Sequence, residues 1–348
     1  MKSSIKALLA AAAGVAALAV SPANAYEAGY AGWATKPGAF IGASAGVPPP
    51  GIYMFNQVFT YQTNLVGPGT TTLGLGPHNT VGAAVDVQGF LFVPGWTFLG
   101  ATYDAVIVQP WVFAAVGNPL ALFPGVANVV AGAHNTYIVP VELSWKLGTS
   151  GFAVKTGLGI YVPDGHIQGP TGLNSVGNPW WTFQPELILS YLGGGYNLSV
   201  ALYEEFNTRN SRDGYTTGDI FHADFTATKT FGKWTLGPVA YYVAQVTNDS
   251  CAAGGLLCPT AASTTTAILG NAQRFSLFAV GGLVEYNFGP ASLSVWATQE
   301  VSHTAHSIAP VTAATDASLI TQGFTVFATL SYRLWAPEEP AKAPMLHK

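Results

Sequence analysis

After residue 25 the chain has no run of 18 apolar residues free of polar residues, Pro or Gly, although its overall composition is that of a membrane protein. Hydrophobic residues make up 49% of its 348 positions and charged residues 9%, and the mean hydropathy is +0.32. Soluble domains carry about 25% charged residues. The most apolar stretches, 105–116 and 120–130, are interrupted by Gln109-Pro110 and Pro124-Gly125. A membrane-spanning helix, which needs about 20 apolar residues, is therefore not predicted.

The N-terminus indicates export from the cytoplasm. Lys2 and Lys6 precede a short apolar run, Ala7 to Val20, and Ala23-Asn24-Ala25 has the small-x-small pattern of a cleavage site. These are the three parts of a secretory signal peptide. We therefore predict a signal peptide over residues 1–25 and a mature protein that begins at Tyr26. An N-terminal membrane anchor is the alternative.

An apolar exported chain without spanning helices leaves the closed β-barrel, because every backbone polar group in lipid must be paired. The 9 Trp, 15 Tyr and 19 Phe suit the aromatic girdles of outer-membrane barrels. We predict an all-β fold, a transmembrane antiparallel β-barrel over residues 51–335 in the outer membrane of a Gram-negative bacterium. Its partners would be outer-membrane lipid and the barrel-assembly machinery during insertion. The formal charge of −4 and the absence of a basic patch indicate no nucleic-acid partner.

Alternation of apolar and polar residues between turn sequences predicts twelve strands, with ten or fourteen as alternatives. They cover 52–65, 81–93, 96–116, 136–147, 151–163, 181–193, 196–209, 220–232, 234–247, 275–289, 291–301 and 323–334. Tight turns, the first at Pro94-Gly95, alternate with long loops, as periplasmic turns and external loops do in such barrels. An even strand number places both termini in the periplasm, with a periplasmic tail over 336–348.

Several predicted strands have one apolar and one polar face. In 220–232, Phe221, Phe225 and Phe231 oppose His222, Asp224 and Thr226; in 136–147, Tyr137, Val139, Val141, Leu143 and Trp145 share the apolar face. The polar faces carry too little Lys and Glu for a soluble surface, so we expect them to line a lumen. Glu204 and Lys229 fall on apolar faces, which predicts either a bulge or a position near the membrane boundary.

The segment 26–50 is rich in Gly, Ala and Pro and has no clear periodicity. Two arrangements are compatible with this composition. The segment could trail in the periplasm, or it could fold back as a lumen plug.

Seven polar residues from four consecutive strands form the candidate site. They are Glu186, Glu205, Asn207, Arg209, His222, Asp224 and Gln245. Neighbouring antiparallel strands can place such side chains in one contiguous patch. The patch would either fill the barrel interior structurally or contact the permeating solute, and Arg209 with Asp224 or Glu205 is a candidate structural ion pair.

No catalytic residue, metal site or cofactor site is predicted, and the chain is not expected to be an enzyme. Gly42-Ala43-Ser44-Ala45-Gly46 matches the G-x-S-x-G pattern, but Pro48-Pro49-Pro50 follows where that motif requires a helix. His303 and His306 share a predicted loop without a Cys or carboxylate cluster, so they do not form a metal site. His134 is interpreted as another loop residue.

The two cysteines, Cys251 and Cys258, fall in the same predicted external loop. Export to an oxidising compartment favours a disulfide between them. Its effect would be to restrict this loop.

A composite motif links the middle of the chain to a known family. It comprises Gly177-Asn178-Pro179-Trp180-Trp181, Glu205-Phe206-Asn207-Thr208-Arg209-Asn210, Tyr215-Thr216-Thr217-Gly218-Asp219, Tyr241-Tyr242 and Gln245-Val246-Thr247-Asn248-Asp249. Together with Pro48-Pro49-Pro50-Gly51-Ile52-Tyr53, it resembles the transporter-type outer-membrane proteins named for the meta-pathway of phenol degradation, over residues 48–335. The resemblance implies a barrel fold and a part in the uptake of phenolic or other aromatic compounds. One departure is that a tail follows Trp335, whereas such barrels commonly end on an aromatic residue.

About twelve strands lie between the filled interior of eight-stranded barrels and the open channel of 16–18-stranded ones. The sequence therefore predicts a narrow lumen for passive uptake of small, aromatic or phenolic solutes, with inward polar groups that bind a hydroxyl or carboxylate. The alternatives are a structural or adhesive barrel with a filled lumen and no transport, and an outer-membrane hydrolase that uses His222 and Asp224.

Overall fold

Twelve strands close into an antiparallel barrel in the computed structural model, which describes residues 30–72, 74, 76, 80–117, 129–168, 175–212, 214–251, 273–307, 316 and 318–337. In chain order, the twelve strands of the ring and four short additional strands, β3, β5, β10 and β13, have the following bounds. They are β1 (Gly51–Val66), β2 (Thr80–Val93), β3 (Thr97–Phe98), β4 (Ala101–Val116), β5 (Val129–Ala133), β6 (Tyr137–Lys146), β7 (Phe152–Tyr161), β8 (Thr182–Tyr191), β9 (Tyr196–Asn207), β10 (Tyr215–Thr216), β11 (Ile220–Phe231), β12 (Trp234–Gln245), β13 (Ser250–Cys251), β14 (Gln273–Asn287), β15 (Ala291–Ser307) and β16 (Ile320–Trp335). The predicted barrel fold is confirmed, and each of the twelve predicted strands overlaps one barrel strand.

The barrel closes where the first strand meets the last. β1 pairs with β16 on one side and with β2 on the other, and β2 continues to β4. The short strands β3 and β5 extend the pairing of β4, whereas β10 and β13 form a separate two-stranded ribbon. A one-turn helix, α1 (Gly69–Thr72), follows β1. No helix in the described part of the chain is long and apolar enough to cross a bilayer.

The first tight turn lies further along the chain than the sequence predicts. Thr97 pairs with Thr102 and Phe98 with Ala101, so the two-residue turn is Leu99-Gly100 and the predicted strand 96–116 is broken there. Both turn residues have positive φ, 50° for Leu99 and 78° for Gly100. Two consecutive positive-φ residues give the hairpin turn that matches strand twist, which is why the chain reverses here rather than at Pro94-Gly95.

On β8 and β11 the polar face of the strand points into the barrel and the apolar face points out. On β11 the side chains of His222, Asp224 and Thr226 are buried, whereas Phe225 and Phe231 are 41% and 53% exposed. An outward surface that is this apolar fits lipid, while its polar counterpart lines the interior. The predicted inside–outside pattern of this strand is confirmed.

A bulge in β6 overturns one predicted face. The register with β7 shifts between Ile138 and Glu142, and Tyr137, Val139 and Glu142 are all buried. Pro140, which lies within the shifted stretch, has no N–H to contribute to the ladder. The prediction that Tyr137 and Val139 share a face with Leu143 and Trp145 is therefore wrong.

Lys229 and Glu204 lie near the ends of their strands. The Lys229 ammonium is 3.0 Å from the Tyr196 hydroxyl and 4.3 Å from the centroid of its ring, three residues before the turn at Gly232. Glu204 pairs with Phe221, one residue after the start of β11, in a ladder without a register shift. The unshifted ladders contradict a bulge at either residue, and the positions near strand ends are compatible with the other explanation, a place near the membrane boundary.

Residues 30–50, here called the lumen segment, fold back into the barrel rather than trailing from it. Ile41 packs in a core cluster with Ile220, Tyr241 and Leu277, and Ala45 packs with Ile188 and Ala201. The core of the protein is therefore the contact between this segment and the inner wall. The predicted signal peptide and most of the predicted tail lie outside the described residues.

Candidate functional site

Two carboxylates fasten the lumen segment to the wall. Glu205 on β9 accepts hydrogen bonds from the backbone N–H groups of Ala34, at 3.3 Å, and Thr35, at 2.9 Å. Asp224 on β11 accepts from those of Gly38, at 3.2 Å, and Phe40, at 3.0 Å. All four bonds involve a charged acceptor and are buried or partly buried, so they are stronger than neutral bonds.

Neutral side chains continue the attachment along the segment. The backbone N–H of Gly42 donates to Thr226 Oγ1 at 2.8 Å, and that of Ala45 donates to Ser190 Oγ at 2.8 Å. The Thr35 hydroxyl donates to Gln184 Oε1 at 2.6 Å. These acceptors belong to β8 and β11, so the segment is held mainly by one side of the barrel.

His222 completes the contact with Glu205. Its Nε2 lies 3.1 Å from Glu205 Oε1. Its ring stacks on Tyr203, with centroids 4.5 Å apart and planes 14° apart, and meets the edge of Trp33. His222 is completely buried, so its ring fills the space between Glu205, Tyr203 and Trp33.

Lys36 reaches the other side of the barrel. Its ammonium is 3.4 Å from Glu300 Oε1 and 4.1 Å from the centroid of the Tyr61 ring. Glu300 also accepts hydrogen bonds from the hydroxyls of Tyr241, at 2.6 Å, and Tyr61, at 3.0 Å. The charge of Lys36 is thus neutralised by Glu300 and bordered by two phenol rings.

A second charged cluster lies on the wall formed by β4, β6, β7 and β8. The Lys155 ammonium is 3.1 Å from Asp104 Oδ2 and 3.3 Å from Glu142 Oε2. Glu186 faces the same group, and its Oε2 lies 3.5 Å from the Tyr137 hydroxyl. One lysine therefore balances several buried carboxylates.

A cavity of about 510 Å³ separates the lumen segment from β1, β2 and β4. Aromatic rings and valines make up most of its wall, including Trp33, Phe40, Phe55, Phe59, Tyr61, Tyr137, Tyr161, Val85, Val87, Val106 and Val108. Gln57 and Lys36 add polar groups. An apolar cavity of roughly 150 Å³ is enough to hold benzene, so this one can accommodate a substituted ring.

The structure divides the seven predicted residues. Glu205, His222 and Asp224 meet at the lumen segment, whereas Glu186 belongs to the Lys155 cluster. Asn207 ends β9, where its Oδ1 accepts from Trp180 Nε1 at 3.1 Å and from the Thr182 hydroxyl at 2.6 Å.

Arg209 lies beyond the end of β9 and is exposed. Within the described residues it forms no ion pair with Asp224 or Glu205. The predicted pairing is therefore wrong, because the chain leaves the barrel wall before Arg209. His222 takes the position beside Glu205.

Gln245 lies at the end of β12, at the mouth of the barrel opposite the start of β1 and the end of β16. Its amide donates to Asp249 Oδ1 at 2.7 Å, and the same carboxylate binds the N–H of Gly218 at 2.7 Å and the hydroxyl of Tyr215. Burial raises the pKa of Asp249 to about 7. These bonds connect the end of β12 with the β10–β13 ribbon.

Sequence reasoning missed Lys36, Glu300, Asp104 and Lys155. Glu300 could have been found, since it continues the face of Trp296 and Thr298 on β15, all three of which are buried. Asp104 was missed because the predicted strand 96–116 starts before the turn and therefore does not show which face Asp104 occupies. Lys36 gave no signal, because the lumen segment has no periodicity.

The remaining predicted residues occupy different surroundings from those expected. His303 and His306 lie in β15, which continues six residues past Val301 into the predicted loop and ends at Ser307. His134 is buried, with Nε2 3.2 Å from the Trp33 carbonyl oxygen. No metal-binding group of His, Cys, Asp and Glu occurs in the described ranges. Cys251 ends β13, while Cys258 and the predicted disulfide lie outside the described residues.

Comparison with solved structures shows that an outer-membrane channel shares the barrel fold. An outer-membrane channel from Pseudomonas putida F1 matches with a TM-score of 0.61 and 9% identity, over 86% of this chain and 99% of the other. The toluene transporter TodX of Pseudomonas putida matches with a TM-score of 0.36 and 10% identity, over 90% and 96% of the two chains. No curated protein sequence matches this chain.

The sequence family is shown by a family model. The model described as "Putative MetA-pathway of phenol degradation" matches residues 53–309, which is most of the chain and includes eleven of the twelve barrel strands. This confirms the resemblance seen in the composite motif. The chain belongs to the MetA-pathway of phenol degradation family.

Proposed function

We propose that this protein is an outer-membrane channel for the passive uptake of small, mainly aromatic solutes. The observation that carries the proposal is the ring-lined cavity of about 510 Å³ inside a closed barrel. The family description points to phenol degradation, and the barrel is shared with an outer-membrane channel. Both support a channel role without naming the solute.

The cavity offers an aromatic solute both stacking surface and polar partners. Phe55, Phe59 and Tyr137 present faces and edges, the arrangements that aromatic pairs prefer. The Gln57 amide lies on the same wall and donates to Thr329 Oγ1 at 3.2 Å and to the Ala39 carbonyl at 3.5 Å. It can exchange the longer of these bonds for one to a solute hydroxyl. The site therefore suits a ring with a small polar substituent.

The charge of the interior favours neutral solutes over anions. Six carboxylates are buried: Asp104, Glu142, Glu186, Glu205, Asp224 and Glu300. The cations among the described interior residues are Lys36, Lys155 and Arg274. None of these carboxylates lines the cavity itself, but they outnumber the cations around it. Because an excess of acidic groups opposes the entry of an anion, we propose that phenolic hydroxyl compounds pass in preference to aromatic carboxylates.

The proposal is tested by solute influx into liposomes that contain the purified barrel, with the rate of empty liposomes subtracted. Pyrogallol and gallate form a matched pair that differs by one carboxylate, and arabinose is a neutral solute without a ring. We expect pyrogallol influx to exceed gallate influx by roughly tenfold, equivalent to about 1.4 kcal/mol of discrimination, and to exceed arabinose influx.

Equal influx of all three solutes would indicate a general pore and contradict aromatic selectivity. No influx of any of them, with the barrel intact by heat-modifiable gel migration, would support the structural or adhesive alternative. The hydrolase alternative gains no support from the geometry, because His222 and Asp224 are both buried against the lumen segment.

A further inference from the structure

The outward face of the barrel is apolar over most of its circumference. On β8 the outward series is Phe183, Pro185, Leu187, Leu189 and Tyr191, while the alternate residues of this strand are buried. β12 behaves in the same way, with Leu236 47% exposed and Tyr242 37% exposed. These walls match the lipid that surrounds them.

β1 and β2 break this pattern. The cavity-lining residues of β1 are Phe55, Gln57 and Phe59, so Asn56 between them faces outward. Val85 and Val87 of β2 line the same cavity, so Asp86 and Gln88 also face outward. The Asn56 amide donates to Asp86 Oδ1 at 2.6 Å. Asn56, Asp86 and Gln88 form what we call the outer polar patch.

The patch lies inside the apolar belt rather than beyond its edge. Gln88 is opposite Asn56 on β1, and two residues nearer the periplasmic end Phe90 is opposite Met54; Phe90 is 41% exposed. On the other side of β2, Trp111 of β4 is opposite Asp86 and is 45% exposed. Two residues further toward the other end of the barrel, Phe113 is opposite Ala84 and is 58% exposed. Apolar side chains thus border the patch, and a carboxylate on the lipid face at this depth destabilises a barrel.

The patch retains hydrogen-bonding capacity that the chain itself does not use. The neighbouring Gln109 is satisfied internally, since its amide donates to the Pro110 and His134 carbonyls and accepts from the Thr136 hydroxyl. By contrast, Gln88 is exposed and makes no side-chain hydrogen bond to the described residues. Asp86 uses one carboxylate oxygen for Asn56, and its other oxygen makes no side-chain hydrogen bond to the described residues.

We propose that a second copy of this chain covers the outer polar patch, so that two barrels associate through β1 and β2 about a two-fold axis. The patch carries both amide donors and a carboxylate acceptor, so it is complementary to itself. Self-complementary patches form isologous contacts, which close at two copies. Amide–carboxylate bonds between the copies would remove the patch from lipid, where polar side chains of neighbouring subunits pair with one another.

The test is the mass of the folded barrel, measured by native mass spectrometry of the complete protein released from lipid. We expect two copies for the wild type and one copy for the double variant Asp86→Val/Gln88→Val, with heat-modifiable migration showing that the barrel remains folded. Gln299→Val is the matched control, because Gln299 is an exposed amide on β15 that bonds within its own chain. This control should remain a dimer.

Cross-linking in the intact membrane gives a second measurement that does not depend on detergent or on the double variant. In a Cys251→Ser/Cys258→Ser background, Gln88→Cys should form disulfide-linked dimers, whereas Phe225→Cys on the opposite wall should not. A wild type that is monomeric in both measurements would overturn the proposal and leave lipid or solute as the occupant of the patch. Three or more copies, or a double variant that stays dimeric, would also contradict it.

Discussion

Deletion of residues 30–46 is expected to raise the single-channel conductance by roughly tenfold, because a barrel of this size is otherwise wide enough for a narrow channel. The lumen segment now occupies that space. It is held by Glu205 and Asp224 through four backbone N–H groups. Removal of the segment leaves the closed strand ladder of the barrel untouched, so the wall should persist. The measurement is conductance in planar lipid bilayers.

The double variant Glu205→Ala/Asp224→Ala tests the attachment of the lumen segment to the wall while the segment itself remains in the chain. It should give brief openings to the larger conductance, since the segment remains covalently joined to β1 but loses its charged acceptors. Glu204→Ala is the matched control, because its side chain precedes Glu205 and lies on the opposite face of β9. Conductance unchanged by the deletion, in a barrel shown to be folded, would mean that the segment does not obstruct the path.

Lys155→Met is expected to lower the free energy of unfolding by about 3–5 kcal/mol, the usual effect of removing one partner from a buried ion pair. The ammonium lies within 3.3 Å of Asp104 and Glu142. Without it, buried carboxylates would face one another with no compensating charge. Methionine fills a similar volume, so the loss would reflect charge rather than a cavity.

The measurement is urea unfolding in lipid vesicles, followed by tryptophan fluorescence. Lys146→Met is the matched control, since Lys146 is exposed at the end of β6 and exposed substitutions usually change stability by about 0.5 kcal/mol or less. A Lys155→Met variant as stable as this control would show that the cluster does not depend on the lysine. The two variants differ in burial and not in the chemistry of the substitution.

The barrel could be predicted because several strands separate lipid from a polar part of the interior. In β11 this requirement places Phe225 outside and Asp224 inside, and the alternation is legible in the sequence. The same requirement does not fix where a strand starts. The alternation of apolar and polar residues does not distinguish Leu99-Gly100 from Pro94-Gly95 as the site of the turn. Only the pairing of Thr97 with Thr102 in the structure identifies Leu99-Gly100 as the turn.

The candidate site was only partly predictable, because the wall contributes side chains whereas the lumen segment contributes mainly backbone N–H groups. Glu205 and Asp224 were identified as inward polar residues, but their partners are N–H groups that every residue except proline possesses. The identity of Ala34 or Gly38 therefore carries no sign of the contact. Lys36 does carry a charge, yet its partner Glu300 lies on the penultimate strand, and no local pattern connects the two.

The attachment of the lumen segment also bears on how the barrel assembles. β9 lies directly across the ring from β1, and the segment is fixed to β9 at Glu205 before the chain enters β1 at Gly51. Closure requires β1 to meet β16, the two ends of a long chain, at a large cost in loop entropy. A segment that is already bound to β9 reduces this entropy cost, because it holds β1 close to the partly formed sheet. The wall of β8, β9 and β11 should therefore form early, and a chain that lacks the segment should close its last seam more slowly.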